Sequence, residues 1–323
     1  MERFSNSVDF SFVIPCYNVE KFVEDCINSI VNQNFGEITY EIICIEDNST
    51  DNTYEILKKL SESNPNIILH KNECNKGVSY NRNVGINLSH GKWIAFFDSD
   101  DLMMPDVINK IYNVAEKNNA DCLALKALDV EEDFKINQID KIDINSGRIY
   151  ANAICSAIYN NNKLKEWKLL FNENLSFGED TVFRGLFFLK SEIKIVTDIA
   201  WYLRRKNSNS ITQTRDLNKQ KKIYFDAIII YETYLENNLS IDVINHAQEG
   251  IILKLAQTMD KDFIKKQLKK LKEKNYYPYN FRKAVLYSNK NLLLGILQFL
   301  CPIEPFFWMY YLVYKILRKK FYK

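Results

Sequence analysis

The residues best placed to do chemistry lie in Trp93-Ile-Ala-Phe-Phe-Asp98-Ser99-Asp100-Asp101, where five apolar residues run into three acids. A short apolar run with aromatics reads as a strand buried on both faces, as in a parallel sheet. The acids then stand at its carboxyl end, where open α/β sheets bind their ligands. Asp98 and Asp100 would share a face of an extended strand, and a turn there lets both carboxylates converge on one cation. Carboxylates packed this closely repel one another. A divalent metal bridged to a ligand phosphate offsets that repulsion. Taken alone, the triplet also fits a polar turn that ends a strand.

The elements around it alternate. Phe10 to Ile14 is a short strand ending at Pro15, and Val19 to Asn32 carries apolar residues at helical spacing. Tyr40 to Ile45 reads as a strand, and Thr50 to Leu60 as a helix with Ser49 or Asp51 as its N-cap. Ile67 to Leu69, Trp93 to Phe97 and Cys122 to Leu128 are further strands. Val78 to Leu88 is a helix, and Pro105 suits the first turn of another that runs to about Asn118. This is βαβ spacing, which predicts a doubly wound, largely parallel sheet. Beyond residue 129 the pattern fades. Asp129 to Gly147 reads as loops or an edge hairpin, Ala151 to Tyr159 and Thr181 to Lys190 as helices, and Trp201 to Arg205 as a strand. From Asp216 onward the chain reads as helical, with an amphipathic stretch from Asp262 to Lys274.

Composition narrows the class. The 323 residues are 46% hydrophobic and 26% charged, which is globular rather than disordered. A formal net charge of +2 argues against a nucleic-acid binder. The seven cysteines are odd in number and form no CxxC pair, so they read as reduced core thiols in a cytosolic protein without a zinc site. Three histidines leave little room for a His-based triad or metal cage. No apolar signal segment stands before the first strand.

Five blocks stand in order along the chain: Phe12-Val-Ile-Pro15-Cys-Tyr17-Asn18-Val-Glu20, Ile45-Glu46-Asp47-Asn48-Ser49-Thr50-Asp51, Asn75-Lys76-Gly77 through Arg82-Asn83-Val-Gly85, Phe96-Phe97-Asp98-Ser99-Asp100-Asp101, and Phe177-Gly178-Glu179-Asp180-Thr181. Taken together, the ordered set resembles family 2 glycosyltransferases. The resemblance spans roughly residues 8 to 213. It implies a GT-A fold, and transfer of a sugar from a nucleotide donor with inversion at the anomeric carbon. By position it implies that Pro15, Tyr17, Asn18 and Glu20 line the base end of the nucleotide pocket. Asp47 would accept from the imide of a uracil-type base. Lys76, Arg82 and Asn83 would lie near the ribose and phosphates. Asp98, with Ser99, would approach the ribose or donor sugar, and Asp98 and Asp100 would hold Mn²⁺ or Mg²⁺. Asp180 would be the general base, with Glu179 the alternative. Arg205, ahead of the polar loop Ser208-Asn-Ser210, would help close over the phosphates, although an ordinary exposed loop fits it equally.

Physical arguments stand behind these roles. A nucleoside diphosphate leaves readily only when its charge is neutralised, which a cation held by one or two carboxylates achieves. Inversion needs a base on the face opposite the leaving group. Asp180 opens a helix, whose N-terminus lowers a carboxylate's pKa, while Glu179 beside it pushes the other way. Two departures matter. Glu46-Asp47 stands where the family usually has Asp-Asp, and no Arg-Trp pair follows Asp180. The second argues for single addition rather than processive synthesis.

The expected class is therefore α/β, a GT-A catalytic domain over residues 1–213 with an all-helical region over 214–323. Within the latter, Asn291 to Cys301 and Phe306 to Leu317 are apolar and are followed by Arg318, Lys319, Lys320 and Lys323. Each run falls short of the roughly 20 residues a spanning helix needs. Rings beside a basic cluster fit a segment lying in a membrane interface; a helical pair packed on the core or on a second subunit is the other reading. The expected enzyme is cytoplasmic and peripheral on the cytoplasmic face of the inner membrane. It would take a UDP-sugar donor and a glycan or lipid-linked acceptor of cell-surface polysaccharide synthesis. One rival is a nucleotidyltransferase, which would want a Gly-rich loop after the first strand, yet the first glycine is Gly36. The other is a non-catalytic nucleotide-sugar-binding or membrane scaffold subunit, whose mark would be loss of the acids.

Overall fold

The apolar runs set the architecture. A computed structural model describes residues 8–143, 153–206, 216–239 and 260–274, with isolated positions between these stretches. Strand β1 (Val8–Cys16) is buried along both faces, as a strand between helical layers must be. It is followed by α1 (Val23–Val31), β2 (Tyr40–Glu46), α2 (Thr53–Ser63), β3 (Ile67–Lys71), α3 (Val78–Leu88) and β4 (Gly91–Phe96). The four strands pair in parallel in the order β3-β2-β1-β4. Phe10, Phe12 and Ile14 of β1 join Trp93, Ala95 and Phe97 in a core that also takes Val23, Ile27 and Ile30 of α1.

The second half of the sheet departs from the expected pattern. It comprises β5 (Leu102–Met103), α4 (Ile108–Lys117), β6 (Cys122–Val130), β7 (Ala157–Asn160), α5 (Asn161–Glu166), α6 (Glu179–Lys190) and β8 (Lys194–Arg205). The eight strands run β3-β2-β1-β4-β7-β6-β8-β5. β7 is antiparallel to both β4 and β6, β8 is parallel to β6, and β5 is antiparallel to β8. The helix expected over 151–159 is instead a 3₁₀ turn, Ile154–Ser156, leading into β7. A short apolar run carries no decisive period, and here the free edge of β4 claims it for pairing. The last predicted strand is longer than its apolar core because Lys194 to Ile199 continue alongside β6.

Two glycines set the approach of elements that carry site residues. A Cβ on Gly85 would sit 2.2 Å from Val13 Cγ1, so α3 can lie this close to β1 only with glycine there. Gly178 has φ +76°, a conformation glycine adopts without strain, immediately ahead of α6.

The chain divides into two compact units, residues 1–174 with 179–208, and residues 175–178 with 209–323. In the second, α7 (Leu217–Glu236) is capped by Asp216, and the Ser176 hydroxyl donates to Asp226 at 2.7 Å. An amphipathic helix, α8 (Lys261–Glu273), follows. Among the described residues no helix is long and apolar enough to cross a membrane. The apolar end over 291–323 lies outside the described residues. Of the described cysteines, 16, 26, 44, 122 and 155 are buried and free, whereas Cys74 is exposed, unlike the core thiol expected.

Candidate functional site

Alternation along β4 decides which way its acids face. Ile94 and Phe96 point to the side opposite Trp93 and Ala95, and Asp98 continues their row. On that side stand α3 and α6. Arg82 of α3 donates from Nη2 to Asp98 Oδ1 at 3.0 Å and from Nη1 to Glu179 Oε1 at 2.9 Å. The Arg82 side chain is only 5% exposed, the Glu179 side chain 13% and the Asp98 side chain 45%. Burial works against the guanidinium's charge, but Asp98, Glu179 and Asp180 outweigh it and hold Arg82 firmly protonated.

Asp180 follows Glu179 at the start of α6 and accepts from the Thr181 N–H at 2.7 Å. Its pKa is raised to about 6, first by burial and then by Glu179, against the opposing pull of Arg82 and the Thr181 N–H. The helix N-terminus was expected to keep it low; desolvation and the neighbouring acid outweigh that effect.

The acid turn has its own support. The Asp101 N–H closes it onto the Asp98 carbonyl at 3.0 Å. Asp101 itself is buried, accepting from the Tyr202 hydroxyl at 2.7 Å and the Arg205 N–H at 2.7 Å. Burial, then Asp100 and Asp98, push its pKa well up. Tyr202 also accepts from the Asp98 N–H at 3.1 Å, so one buried hydroxyl ties both ends of the turn to β8. Replacing Tyr202 by Phe leaves a buried N–H and a carboxylate oxygen without that partner. The expected loss is about 1–3 kcal/mol of stability, read from urea unfolding; an unchanged midpoint would remove Tyr202 as the turn's support.

Arg205 differs from its expected contact with phosphates. It is buried, donating from Nη1 to the Asp100 carbonyl at 2.6 Å and from Nη2 to Asp25 at 3.3 Å and the Phe134 carbonyl at 3.2 Å. Its partners are protein groups that brace the turn from within. The polar loop beyond it, 207–215, lies outside the described residues. Ser99 is buried within the turn.

The first two blocks lace together. Asn18, at φ +53°, accepts from the Thr50 N–H at 2.8 Å, and its own N–H donates to Ser49 Oγ at 3.1 Å. Glu20 accepts from the Asn52 N–H at 3.0 Å. Of the two expected N-caps, Ser49 accepts from the Asn18 N–H and Asp51 from the Glu20 N–H with one oxygen and the Thr53 N–H with the other, while Asn52 stands at the cap position of α2. Pro15 pairs in register with Ile45, and the ring of Tyr17 stands 46% exposed beyond it. Asn18 and Glu20 thus build a wall, and Tyr17 offers a face to stack on.

Asp47 is buried with three donors, the Asn72 side-chain amide at 2.7 Å and the backbone N–H groups of Lys76 and Gly77 at 2.8 and 2.9 Å. A carboxylate has about four lone-pair sites, so these contacts leave little for a base imide. Lys76 is exposed, with its ammonium 5.9 Å from the Tyr80 ring. Asn83, expected near the ribose and phosphates, is instead committed to Phe171 and Glu173. Its amide donates to the Phe171 carbonyl and Glu173 Oε1, and accepts from the Phe171 N–H. Asn72, Tyr202 and Phe171 escaped sequence reading. Only Tyr202 carried a signal, since a tyrosine inside a buried strand needs a partner for its hydroxyl.

For a divalent cation, Asp98 and Asp100 supply hard oxygen donors, and the crowding that raises Asp101 is what a cation relieves. Among the described residues no three His, Cys, Asp or Glu side chains form a cage by themselves. Mg²⁺ and Mn²⁺ sites completed by substrate phosphates need only one or two carboxylates, so the residues fit.

Known proteins share this fold. The solved structure of S. aureus TarS 1-349 in complex with UDP-GlcNAc matches with TM-score 0.60 at 21% identity, over 92% of this chain and 82% of that one. The mannosyltransferase PcManGT from Pyrobaculum calidifontis, in complex with GDP-Man and Mn²⁺, matches with TM-score 0.55 at 13% identity, over 99% of this chain and 89% of that one. Both likenesses show the fold, which is GT-A. The minor teichoic acid biosynthesis protein GgaB of Bacillus subtilis is 29% identical over 262 residues, 77% of this chain and 28% of that protein. The poly(ribitol-phosphate) β-N-acetylglucosaminyltransferase TarS of Staphylococcus aureus is 28% identical over 205 residues, 61% of this chain and 35% of that protein. The chain thus spans about a third of the length of these curated relatives. The model of glycosyl transferase family 2 matches residues 11–211, more than half of the chain, and the chain belongs to that family.

Proposed function

We propose that this glycosyltransferase is a metal-dependent, inverting enzyme that moves a sugar from a UDP-sugar to a hydroxyl of a cell-surface glycan or lipid-linked acceptor. The observation that carries the reading is Arg82, which ties Asp98 at the end of β4 to Glu179 at the start of α6. Acids expected on opposite sides of a reacting carbon meet around one guanidinium.

Asp98 and Asp100 would hold the cation, which when bound neutralises charge on the departing diphosphate. Tyr17 would stack on the base, and the Asn18–Glu20 wall would define the base end. Asp47 acts chiefly by fixing the Lys76–Gly77 turn beside it. Asp180 takes the acceptor hydroxyl's proton as the glycosidic bond forms, and Glu179, already paired with Arg82, holds the alternative place. The UDP-GlcNAc bound to TarS, the poly(ribitol-phosphate) on which TarS acts and the part of GgaB in minor teichoic acid biosynthesis support a UDP-sugar and a polymer acceptor.

Two measurements test this. A panel of nucleotide-sugars with Mn²⁺ should raise the melting temperature for UDP-sugars, and purified protein should slowly release UDP from the one that binds. Neither binding nor release would support the scaffold reading. Excess EDTA should remove activity, and Asp100→Ala should weaken Mn²⁺-supported UDP binding by about tenfold or more, the ligand's contribution being on the order of a kcal/mol. Full turnover in EDTA would end the metal proposal.

A further inference from the structure

Phe171 has no place in the proposed chemistry, yet it lies where the sheet's acids and the helix's acids meet. It is 3% exposed. Its ring stacks on Phe183 of α6 with centroids 3.9 Å apart and planes within 3°. It meets Phe96 of β4 edge-on at 5.2 Å, and the Arg82 guanidinium stands 5.3 Å from its centroid. Phe96 lies two residues before Asp98, and Phe183 lies one helical turn after Asp180 on the same face of α6.

Its backbone is held as firmly. Asn83 Oδ1 accepts from the Phe171 N–H at 2.8 Å, and Nδ2 donates back to the Phe171 carbonyl at 3.0 Å and to Glu173 Oε1 at 2.8 Å. All the hydrogen-bonding groups of the Asn83 amide are thereby used. Asn83 also follows Arg82 directly, so the residue that gathers the acids and the residue that pins the ring share one turn of α3.

We infer that Phe171 is a positioning residue, a flat spacer pinned by Asn83 that sets the separation between the Arg82–Asp98 side of the site and Glu179–Asp180. The inference rests on the proposed roles of Asp98 and Asp180 and deepens them. The one Phe171 ring touches Phe183, centroids 3.9 Å apart, and has the Arg82 guanidinium 5.3 Å from its centroid. Leucine has a comparable volume but cannot stack flat, so the start of α6 must shift. A displacement of about 1 Å at a reacting centre costs on the order of 10²-fold in rate.

The experiment compares Phe171→Leu with Phe187→Leu. Phe187 is an equally buried ring of α6, packed on Tyr159 and Trp167 and one turn further from the acids. Both variants should lower the melting temperature. Phe171→Leu should lower kcat by about 30–100-fold with the donor KM within about twofold. Phe187→Leu should leave kcat near wild type. Amide hydrogen exchange over residues 179–184 should quicken in Phe171→Leu and not in Phe187→Leu, a readout that needs no turnover. Should Phe171→Leu not fold, Asn83→Ser removes the pin while keeping the ring and should give the same signature, smaller in size. Unchanged exchange over 179–184, or an active Phe171→Leu enzyme with normal kcat, or an equal kcat loss in Phe187→Leu, would each overturn the inference. A wild-type protein inert toward every UDP-sugar would instead overturn the proposed function, and the exchange comparison would still decide this one.

Discussion

Asp180→Asn is expected to lower kcat by about 10²–10⁴-fold while leaving UDP binding nearly unchanged, the range that loss of a general base costs. The substitution keeps size and shape, and the Thr181 N–H still finds an oxygen to donate to. What goes is the capacity to take a proton. Because burial and Glu179 raise the Asp180 pKa to about 6, the wild-type profile should also carry an acid limb there. A base works when deprotonated, so kcat/KM should fall as pH drops below about 6 and the limb should vanish in the variant. Stability runs the opposite way. A carboxyl whose folded pKa lies above its ordinary 3.8 binds its proton more tightly when folded. Its contribution is present below that ordinary value and is lost as pH rises through about 6. Wild type should lose stability relative to Asp180→Asn across this window in urea unfolding. Full transfer by Asp180→Asn would return the base role to Glu179.

Removal of Arg82 should have the largest structural effect. Arg82→Met keeps the stem against Phe171 but strands Glu179 and Asp98. Breaking a buried pair from one side typically costs about 3–5 kcal/mol, because the partner's charge stays buried. Glu179 carries most of this, since the Asp98 side chain is 45% exposed and water screens it. The sign with pH follows. Without the guanidinium, Asp180 loses the pull that now lowers its pKa, so its folded-state value rises further, favouring folding at low pH and weakening it as pH climbs through that value. The gap between wild type and variant should therefore widen from acid toward neutral pH. Arg82→Lys keeps a charge but loses the fork that spans two carboxylates, and should recover only part of the stability and little transfer. An unfolding midpoint indifferent to Arg82→Met would show that the three acids do not depend on it.

Some of the site was legible because it is local. The Asp98-Ser99-Asp100-Asp101 turn follows directly from an apolar run that ends, and Glu179 and Asp180 open a helix as acids in a first turn commonly do. The roles of Asn83 and Arg205 were not legible. Both are polar residues, and nothing in their sequence neighbours says that their donors are already spent on carbonyls and carboxylates of this chain. β7 was misread for the same reason. Ala157 to Asn160 are too few to show a period, and the open edge of β4, more than sixty residues earlier, makes them a strand.

The sequence by itself determined which segments alternate, where the parallel half of the sheet lies, and that acids cluster at a strand's carboxyl end. Those properties depend on side-chain period and on residues within a few positions of one another. Tertiary structure alone decided that Arg82 would reach Glu179, 97 residues away, and join it to Asp98, that Tyr202 would hold the acid turn from beneath, and that Asp180 would hold its proton up to about 6. Each of these depends on desolvation and on neighbours brought together by packing, and neither is encoded in any short stretch of chain.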